Sequence, residues 1–122
     1  MMLRKNLWVE KGLVNGSLGT VADIVYEIGK RPPSLPALVL VKFDNFQGPF
    51  LKDDLFPVFT TTVTWKDKDT ECKRRQFPIS VAYALTIHTA QGLTLDKAEI
   101  DIGKKENLPG LSYVALSRVR SL

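Results

Sequence analysis

The sequence predicts an α/β fold that is interrupted by a separate group of strands. About residues 16–78 contain several short apolar runs with turns between them, which is typical of a small β-barrel. After Pro78 the apolar residues change to a helical spacing, and a strand-like segment and a second helix-like segment follow. Alternating strands and helices are typical of a layered α/β domain. We therefore expect residues 1–15 and 79–122 to form that layer around an all-β insertion at 16–78.

The first third of the chain predicts short strands joined by tight turns. Residues 3–9 form a short mixed segment that predicts a strand, and Asn15-Gly16 follows as a pair that tolerates positive φ in a turn. Residues 20–28 are rich in β-branched side chains and predict a second strand. Residues 30–36 contain three prolines, which predict a loop because proline cannot donate to a sheet ladder.

The middle of the chain predicts further strands and a charged hairpin. Residues 37–43 (ALVLVKF) form a nearly continuous apolar strand. The stretch after it alternates threonines with a set of residues that predicts one apolar strand face: Phe59, Thr61, Val63 and Trp65. Residues 66–75 mix both signs of charge, which is typical of a solvated hairpin tip more often than of a binding patch.

The last third predicts helix, strand and helix. Gly92 follows a set of residues that share one side of a predicted helix, as suits a residue that ends a helix in the left-handed conformation: Val81, Ala84, Leu85, His88 and Gln91. Residues 97–102 predict a strand and residues 107–110 a turn. Ser112 or the loop before it predicts the cap of a helix over residues 113–120.

Composition excludes several classes of protein. The chain has 122 residues, 44% hydrophobic and 25% charged, as in ordinary globular domains. No apolar run approaches the roughly 20 residues of a membrane span, and no secretory signal is visible. Cys72 is the one cysteine, so no internal disulfide can form, and we expect an intracellular protein without a membrane partner. The net charge of +4 favours polyanion contact only slightly.

Two motifs carry a resemblance to a known family. TIHTAQGLTLD (residues 86–96) and YVALSRVRS (113–121) follow the opening MLRKNLWVEKGLVNGSLGTV (2–21). In this order they resemble superfamily-one DNA helicases of the branch that contains the Pif and RecD-like enzymes, over nearly the whole chain. The resemblance implies the carboxy-terminal part of such a helicase: a partial second RecA-like motor domain interrupted by a small SH3-like β-barrel insertion.

The resemblance also implies roles in nucleotide binding. Arg118 matches the arginine that reaches across the domain cleft to the γ-phosphate of ATP, a task that suits a planar guanidinium. Gln91, Gly92 and Thr94 match the part of the first motif that lies near the nucleotide. From the residues alone, Arg118 is equally a surface arginine beside a buried helix stripe, and Arg120 competes with it for the assignment.

A second set of residues is implied in strand binding. Thr86, His88 and Thr89 match the part of the motif that faces single-stranded DNA, where such donors hold phosphates without reading bases. The family usually has lysine and serine after the histidine, and Thr89-Ala90 replace them here. Compensating phosphate contacts are expected from the basic run Lys73, Arg74 and Arg75. In isolation, a helix histidine such as His88 is more often a structural residue.

Two sequence motifs that ATP hydrolysis requires are missing from the chain. It contains neither a GxxxxGK[ST] phosphate loop nor an acidic motif after an apolar strand that could hold Mg²⁺. The resemblance places both on a first RecA-like domain of the same polypeptide. We therefore expect ATP and Mg²⁺ to be used by the full-length protein, with no metal or nucleotide held by this segment alone. We expect the isolated segment to be inactive, and the full protein to be a monomer that binds single-stranded DNA.

Two competing hypotheses remain open. The β-rich middle could form a non-catalytic module that binds nucleic acid or a protein, with Trp8 and Trp65 available for stacking or for packing. The chain could also be a degenerate remnant of a mobile element in which the motifs persist without function. A phosphate-loop motif upstream in the reading frame would favour the motor over the module.

Overall fold

The computed structural model describes residues 1–49, 51, 53–103 and 109–120. The chain divides into two compact units, Met1–Ala82 and Tyr83–Leu122. Most of the regular structure is strand, and two short helices lie in the second unit. No helix in the described ranges is both long enough and apolar enough to cross a membrane.

The first unit contains strands β1 to β7, which pair antiparallel in three separate groups. β1 pairs with β7, β3 lies between β2 and β4, and β5 pairs with β6. A single turn of 3-10 helix, Val9–Lys11, follows β1. The strand bounds are Met2–Leu3 for β1, Gly19–Val25 for β2, Leu38–Phe43 for β3, Phe56–Val58 for β4, Thr61–Asp67 for β5, Thr70–Gln76 for β6 and Ile79–Ser80 for β7.

The central strand β3 carries the core of the first unit. Side chains alternate across a strand, so Val39, Val41 and Phe43 all point to one face, and all three are buried. β2 pairs with β3 through a register shift between Val21 and Asp23. The core cluster on the buried face contains residues of β1, β3 and β4 and of the connections that follow β1 and β3. It consists of Leu3, Leu13, Val39, Val41, Phe43, Phe46 and Val58. Burial of each large apolar side chain contributes roughly 1.5–3 kcal/mol.

The opening segment turns earlier than the sequence predicts. The strand expected over residues 3–9 ends at Leu3, because the chain then folds back and the N–H groups of Leu7 and Trp8 donate to the carbonyl oxygen of Leu13. Gly12 closes the 3-10 turn at a φ of 85°. The predicted turn at Asn15-Gly16 is confirmed, since Gly16 has a φ of 99°.

The strands predicted over residues 20–28 and 37–43 are confirmed as β2 and β3, and the charged hairpin over 66–75 is confirmed as β5–β6. β2 ends at Val25, three residues short of the prediction. The predicted small β-barrel is corrected to open sheets, since no strand pairing among the described residues closes a ring. The apolar face expected on β5 is present but lies exposed rather than in the core.

The second unit contains α1, Ile87–Ala90, and α2, Leu111–Leu116. The long helix predicted to end at Gln91 is wrong before Ile87. Short helices are stable mainly through burial of an apolar face, but Val81 is 76% exposed. The predicted left-handed ending at Gly92 is confirmed by its φ of 84°.

Of the other predictions for the second unit, one is wrong and one is confirmed with different bounds. The strand expected over residues 97–102 is wrong: no described segment pairs with it, and a strand needs a partner for its backbone groups. The second helix is confirmed, but α2 begins two residues before the prediction, at Leu111, and ends four residues before it, at Leu116. Its cap is Gly110, in the left-handed conformation, so the preceding loop and not Ser112 caps it. The first half of the turn expected at 107–110 lies outside the described residues, as does Ser121.

Candidate nucleotide and nucleic-acid interface

The hydroxyl groups of Thr86 and Thr89 meet at the start of α1. Thr86 is the residue that caps the helix, and its Oγ1 accepts a hydrogen bond from the N–H of Thr89 at 3.3 Å. The two hydroxyl oxygens are 2.9 Å apart. One hydroxyl must donate to the other, so one O–H of the pair is left to donate outward, for example to a phosphate oxygen.

His88 lies between the two threonines in the sequence and is exposed. It is the one titratable side chain in the four residues of α1. Thr89 and Ala90 add no charge to this helix. Any anion held at α1 would be held by neutral donors and by the imidazole.

Gln91, Gly92 and Thr94 form the turn that leaves α1. The N–H of Gln91 donates to the carbonyl oxygen of His88 at 3.3 Å, and all three residues are exposed. A Cβ added at Gly92 would meet nothing within 4 Å, so the requirement for glycine is the positive φ alone. The turn is therefore open on the outside, where a ligand could approach its backbone.

Arg118 is half-buried and folds back along the end of α2. Its Nε donates to the carbonyl oxygen of Val114 at 3.1 Å, and its Nη2 donates to the Oγ of Ser117 at 3.0 Å. The Ser117 hydroxyl donates in turn to the same Val114 carbonyl oxygen, also at 3.0 Å. No carboxylate among the described residues forms an ion pair with Arg118, so its positive charge is not compensated locally.

Arg120 differs from Arg118 in its charge environment. Its Nη1 is 3.3 Å from Oδ1 of Asp96, and both side chains are largely exposed. The neighbouring carboxylate offsets the charge of Arg120, and the uncompensated guanidinium in this part of the structure is that of Arg118. The two arginines, two positions apart in the sequence, thus differ in their ion pairing.

The two motif segments are joined through their backbones. The N–H of Leu95 donates to the carbonyl oxygen of Arg118 at 2.8 Å, and the N–H of Arg120 donates to the carbonyl oxygen of Leu95 at 3.1 Å. These bonds form an isolated parallel bridge between Leu95 and Val119. The bridge brings the turn that ends in Thr94 next to the residue that carries the free guanidinium.

The basic run on β6 belongs to the first unit and is divided by the alternation of the strand. Lys73 and Arg75 lie on one face of the hairpin and Arg74 on the other. Nζ of Lys73 is 3.8 Å from Oε1 of Glu71, and Nε of Arg75 donates to Oγ1 of Thr60 at 2.8 Å. The three basic residues therefore do not form one continuous patch.

Arg75 also acts on a carboxylate in the turn after β2. The pKa of Glu27 is lowered first by a hydrogen bond from Lys30, then by the charge of Lys30 and, more weakly, by that of Arg75. No cluster of histidine, cysteine, aspartate or glutamate that could hold a metal ion occurs in the described ranges.

Sequence reasoning missed two residues that shape this interface. Ser117 holds the guanidinium of Arg118, and Asp96 pairs with Arg120. Both lie inside the two motifs, but residue type and spacing do not tell which arginine a serine or an aspartate would contact.

Comparison with known proteins agrees with the motifs. No family model matches the chain. It is 38% identical over 122 residues to the human protein named ATP-dependent DNA helicase PIF1. The alignment covers 100% of this chain and 17% of the human protein. The Pif1 helicase of Bdellovibrio bacteriovorus is 33% identical over 108 residues, 88% of this chain and 21% of its own length. That of a Psychrobacter species is 57% identical over 47 residues, 38% of this chain and 7% of its own.

These similarities define a helicase-type protein. The chain belongs to the Pif1-like helicase family and matches the carboxy-terminal part of those relatives. It spans about a sixth of the length of the vertebrate relatives, since the alignment covers 17% of each.

Proposed function

We propose that this chain is the carboxy-terminal portion of an ATP-dependent 5′-to-3′ DNA helicase, in which it supplies an arginine finger and contacts to single-stranded DNA. The observation that carries the proposal is the backbone bridge between Leu95 and the residues around Arg118. It joins the proposed strand-binding segment and the proposed finger in one local structure. Membership of a helicase family supports the proposed ATP-driven activity on DNA.

The environment of Arg118 supports its assignment as the finger. A guanidinium can meet the spread charge of a transferring phosphoryl group with two parallel hydrogen bonds. The charge of Arg118 is free of any described carboxylate, whereas Arg120 is paired with Asp96. Arginines in such positions raise phosphoryl-transfer rates by about 10³- to 10⁵-fold. Gln91, Gly92 and Thr94 would line the nucleotide on the same side.

Three residues at the start of α1 are proposed to bind single-stranded DNA: Thr86, His88 and Thr89. The outward hydroxyl of the threonine pair and the exposed imidazole can donate to phosphate oxygens without reading bases. Lys73, Arg74 and Arg75 of the hairpin are proposed to add phosphate contacts. Binding of this kind is independent of sequence and weakens as salt rises.

The remaining parts of the motor are assigned by family resemblance. Residues 1–15 and 79–122 would belong to the second RecA-like domain, and 16–78 to an SH3-like insertion. The first RecA-like domain of the same polypeptide would hold ATP and Mg²⁺ and would dock against the Arg118 side. Closure and reopening of the two domains in each ATP cycle would move the strand held at Thr86, within a protein that acts as a monomer.

The test uses full-length protein that contains the first RecA-like domain. Arg118→Ala should lower strand-stimulated ATP hydrolysis by at least about a thousandfold, while the affinity for single-stranded oligonucleotide changes little. Arg120→Ala is the matched control, because it removes the same side chain two residues away and should retain turnover. Equal turnover in the Arg118→Ala variant and wild type would refute the assignment.

A non-catalytic binding module is the second candidate. The β5–β6 hairpin supports it, since this hairpin pairs with no other described strand and exposes Trp65. A reading frame without an upstream phosphate-loop motif would favour the module over the motor.

A further inference from the structure

The β5–β6 hairpin stands apart from the core of its unit. Neither strand contributes a residue to the core cluster, and the two strands pair only with each other among the described residues. Val63 and Trp65 are each 46% exposed. An isolated two-stranded hairpin is only marginally stable in water, so a hairpin that presents a tryptophan in this way is suited to contact something else.

The register of the hairpin separates two chemically different faces. Residues directly opposite in an antiparallel pair lie on the same face, and the pairs include Val63 with Arg74 and Trp65 with Cys72. The face that carries Trp65, here the aromatic face, consists of Thr61, Val63, Trp65, Asp67, Thr70, Cys72, Arg74 and Gln76. The opposite face carries Thr62, Thr64, Lys66, Glu71, Lys73 and Arg75.

Arg74 is the one basic residue of the aromatic face, and Asp67, at the tip of the hairpin, is its one acidic residue. Lys73 and Arg75, on the opposite face, are engaged with Glu71 and Thr60. Arg74 has no hydrogen bond or ion pair within the part of the chain that the structure describes. It is diagonal to Trp65 across the hairpin, a relationship that places Cβ atoms roughly 7–8 Å apart or somewhat less. An unpaired guanidinium thus lies beside a half-exposed indole, and the carboxylate of the same face, Asp67, lies on the far side of Trp65, opposite Thr70.

We propose that the aromatic face binds single-stranded DNA, with a base stacked on Trp65 and a backbone phosphate bound by Arg74. The inference rests on the proposed DNA-binding function and adds a base-contacting site that lies outside the two motifs. Stacking on an aromatic side chain needs a base that is free of its own stack, which a single strand offers and a duplex does not. The cation meets the charge of the strand, and every base has a face that can stack.

A protein partner fits this face less well. Stable protein interfaces bury roughly 800 Å² on each partner around an apolar centre that is depleted of charge. Two half-exposed apolar side chains supply only a small part of that area, and an unpaired guanidinium beside them would have to be desolvated. For a phosphate ligand the same guanidinium is an advantage.

The experiment measures binding of the full-length protein to labelled oligothymidine and to an abasic oligonucleotide of equal length, by fluorescence anisotropy. Trp65→Leu keeps an apolar side chain and removes the ring. It should weaken oligothymidine binding by about tenfold, within the range for loss of one stacked base, and leave abasic binding unchanged. Trp65→Phe should restore most of the affinity.

Arg74→Gln should weaken binding of both oligonucleotides to the same extent, because it removes a phosphate contact. Lys66→Gln is the matched control: it lies on the opposite face of the same hairpin, has the same charge and is assigned no contact with the strand. It should cost less than Arg74→Gln. An equal loss for both oligonucleotides in Trp65→Leu, together with a lower unfolding temperature, would show that the face packs against protein, and it would overturn the proposal. Unchanged oligothymidine binding would overturn it as well.

Failure of this site is distinguishable from failure of the proposed function. If the aromatic face is not a base site, wild-type protein still hydrolyses ATP when a strand is added and Arg118→Ala does not. If the helicase proposal fails, Arg118→Ala hydrolyses ATP like the wild type, whatever the Trp65 variants do.

Discussion

Leu95 and Arg118 are joined by a backbone hydrogen bond of 2.8 Å, although 23 residues separate them in the sequence. The bond attaches the turn after α1 to the end of α2, and a second bond from Arg120 to Leu95 closes the bridge. Because both bonds use backbone atoms, no side-chain substitution removes them directly. The backbone of Leu95 is therefore held next to the backbone from which the Arg118 side chain extends.

Ser117 is expected to restrain Arg118 rather than to take part in the reaction. Its hydroxyl accepts from Nη2 of Arg118 and so favours the folded-back conformer. Ser117→Ala removes a hydrogen bond of about 0.5–1.5 kcal/mol from that conformer, so kcat for ATP hydrolysis by the full-length protein should rise roughly twofold to tenfold. Ser117→Thr keeps the hydroxyl and should behave like the wild type. A lower kcat in Ser117→Ala would assign the hydroxyl to the reaction itself.

Val41 should be among the positions of the first unit most sensitive to truncation. It is fully buried at the centre of β3, so Val41→Ala loses apolar burial and leaves a cavity. We expect the free energy of unfolding in urea to fall by about 2–3 kcal/mol. Val21→Ala on the adjacent strand is the control, since Val21 is 39% exposed and should change stability by roughly 0.5 kcal/mol at most. Equal effects of the two truncations would contradict the assignment of the core.

Gly12 and Gly29 separate conformational strain from steric overlap. Their φ values are 85° and 81°, but a Cβ at Gly12 would lie 2.9 Å from the carbonyl oxygen of Asn45, while a Cβ at Gly29 meets nothing within 4 Å. Gly29→Ala should cost about 1 kcal/mol for the left-handed conformation. Gly12→Ala should cost about 2–4 kcal/mol, because overlap with backbone adds to that strain. The difference in urea midpoints measures the overlap, and similar midpoints would argue against the close approach.

Glu27 should make stability depend on pH in the acid range. Its pKa is lowered from 4.5, chiefly by the hydrogen bond and charge of Lys30. A carboxyl group whose pKa is lowered on folding stabilises the protein above its unfolded pKa, and the contribution is lost as pH falls through the folded value. The stability difference between wild type and Glu27→Gln should thus be present at pH 7 and shrink as pH falls below 4.5, the ordinary pKa of the group. Lys30→Gln should remove most of this dependence, and a difference that grew toward low pH would contradict it.

The strands of the first unit were predictable where local pattern and packing agree. Residues 37–43 form a continuous apolar run with prolines before them, and β3 begins and ends within one residue of that run. The helix expected before Gln91 failed because spacing alone does not show whether a partner covers the apolar face. Val81 has the right spacing and is nevertheless exposed.

The motifs located the candidate site, but they did not resolve its electrostatics. The sequence placed Arg118 and Arg120 near the same helix end. Arg120 differs from Arg118 because it pairs with Asp96, and Asp96 lies in this region because the backbone bridge at Leu95 holds it there. The basic run on β6 had the same difficulty, since consecutive residues on a strand point in opposite directions. Neither distinction is available without the register of the structure.

Because Arg120 forms an exposed ion pair with Asp96 and Arg118 forms none, ionic strength should affect the surroundings of Arg120 more than those of Arg118. Screening shortens the Debye length to about 3 Å at 1 M salt, so this exposed pair would lose most of its attraction. The contacts of Arg118 with Val114 and Ser117 are short hydrogen bonds within its own helix end and would be affected less. As salt rises, Arg120 would thus be released from Asp96, whereas Arg118 would keep its folded-back conformation.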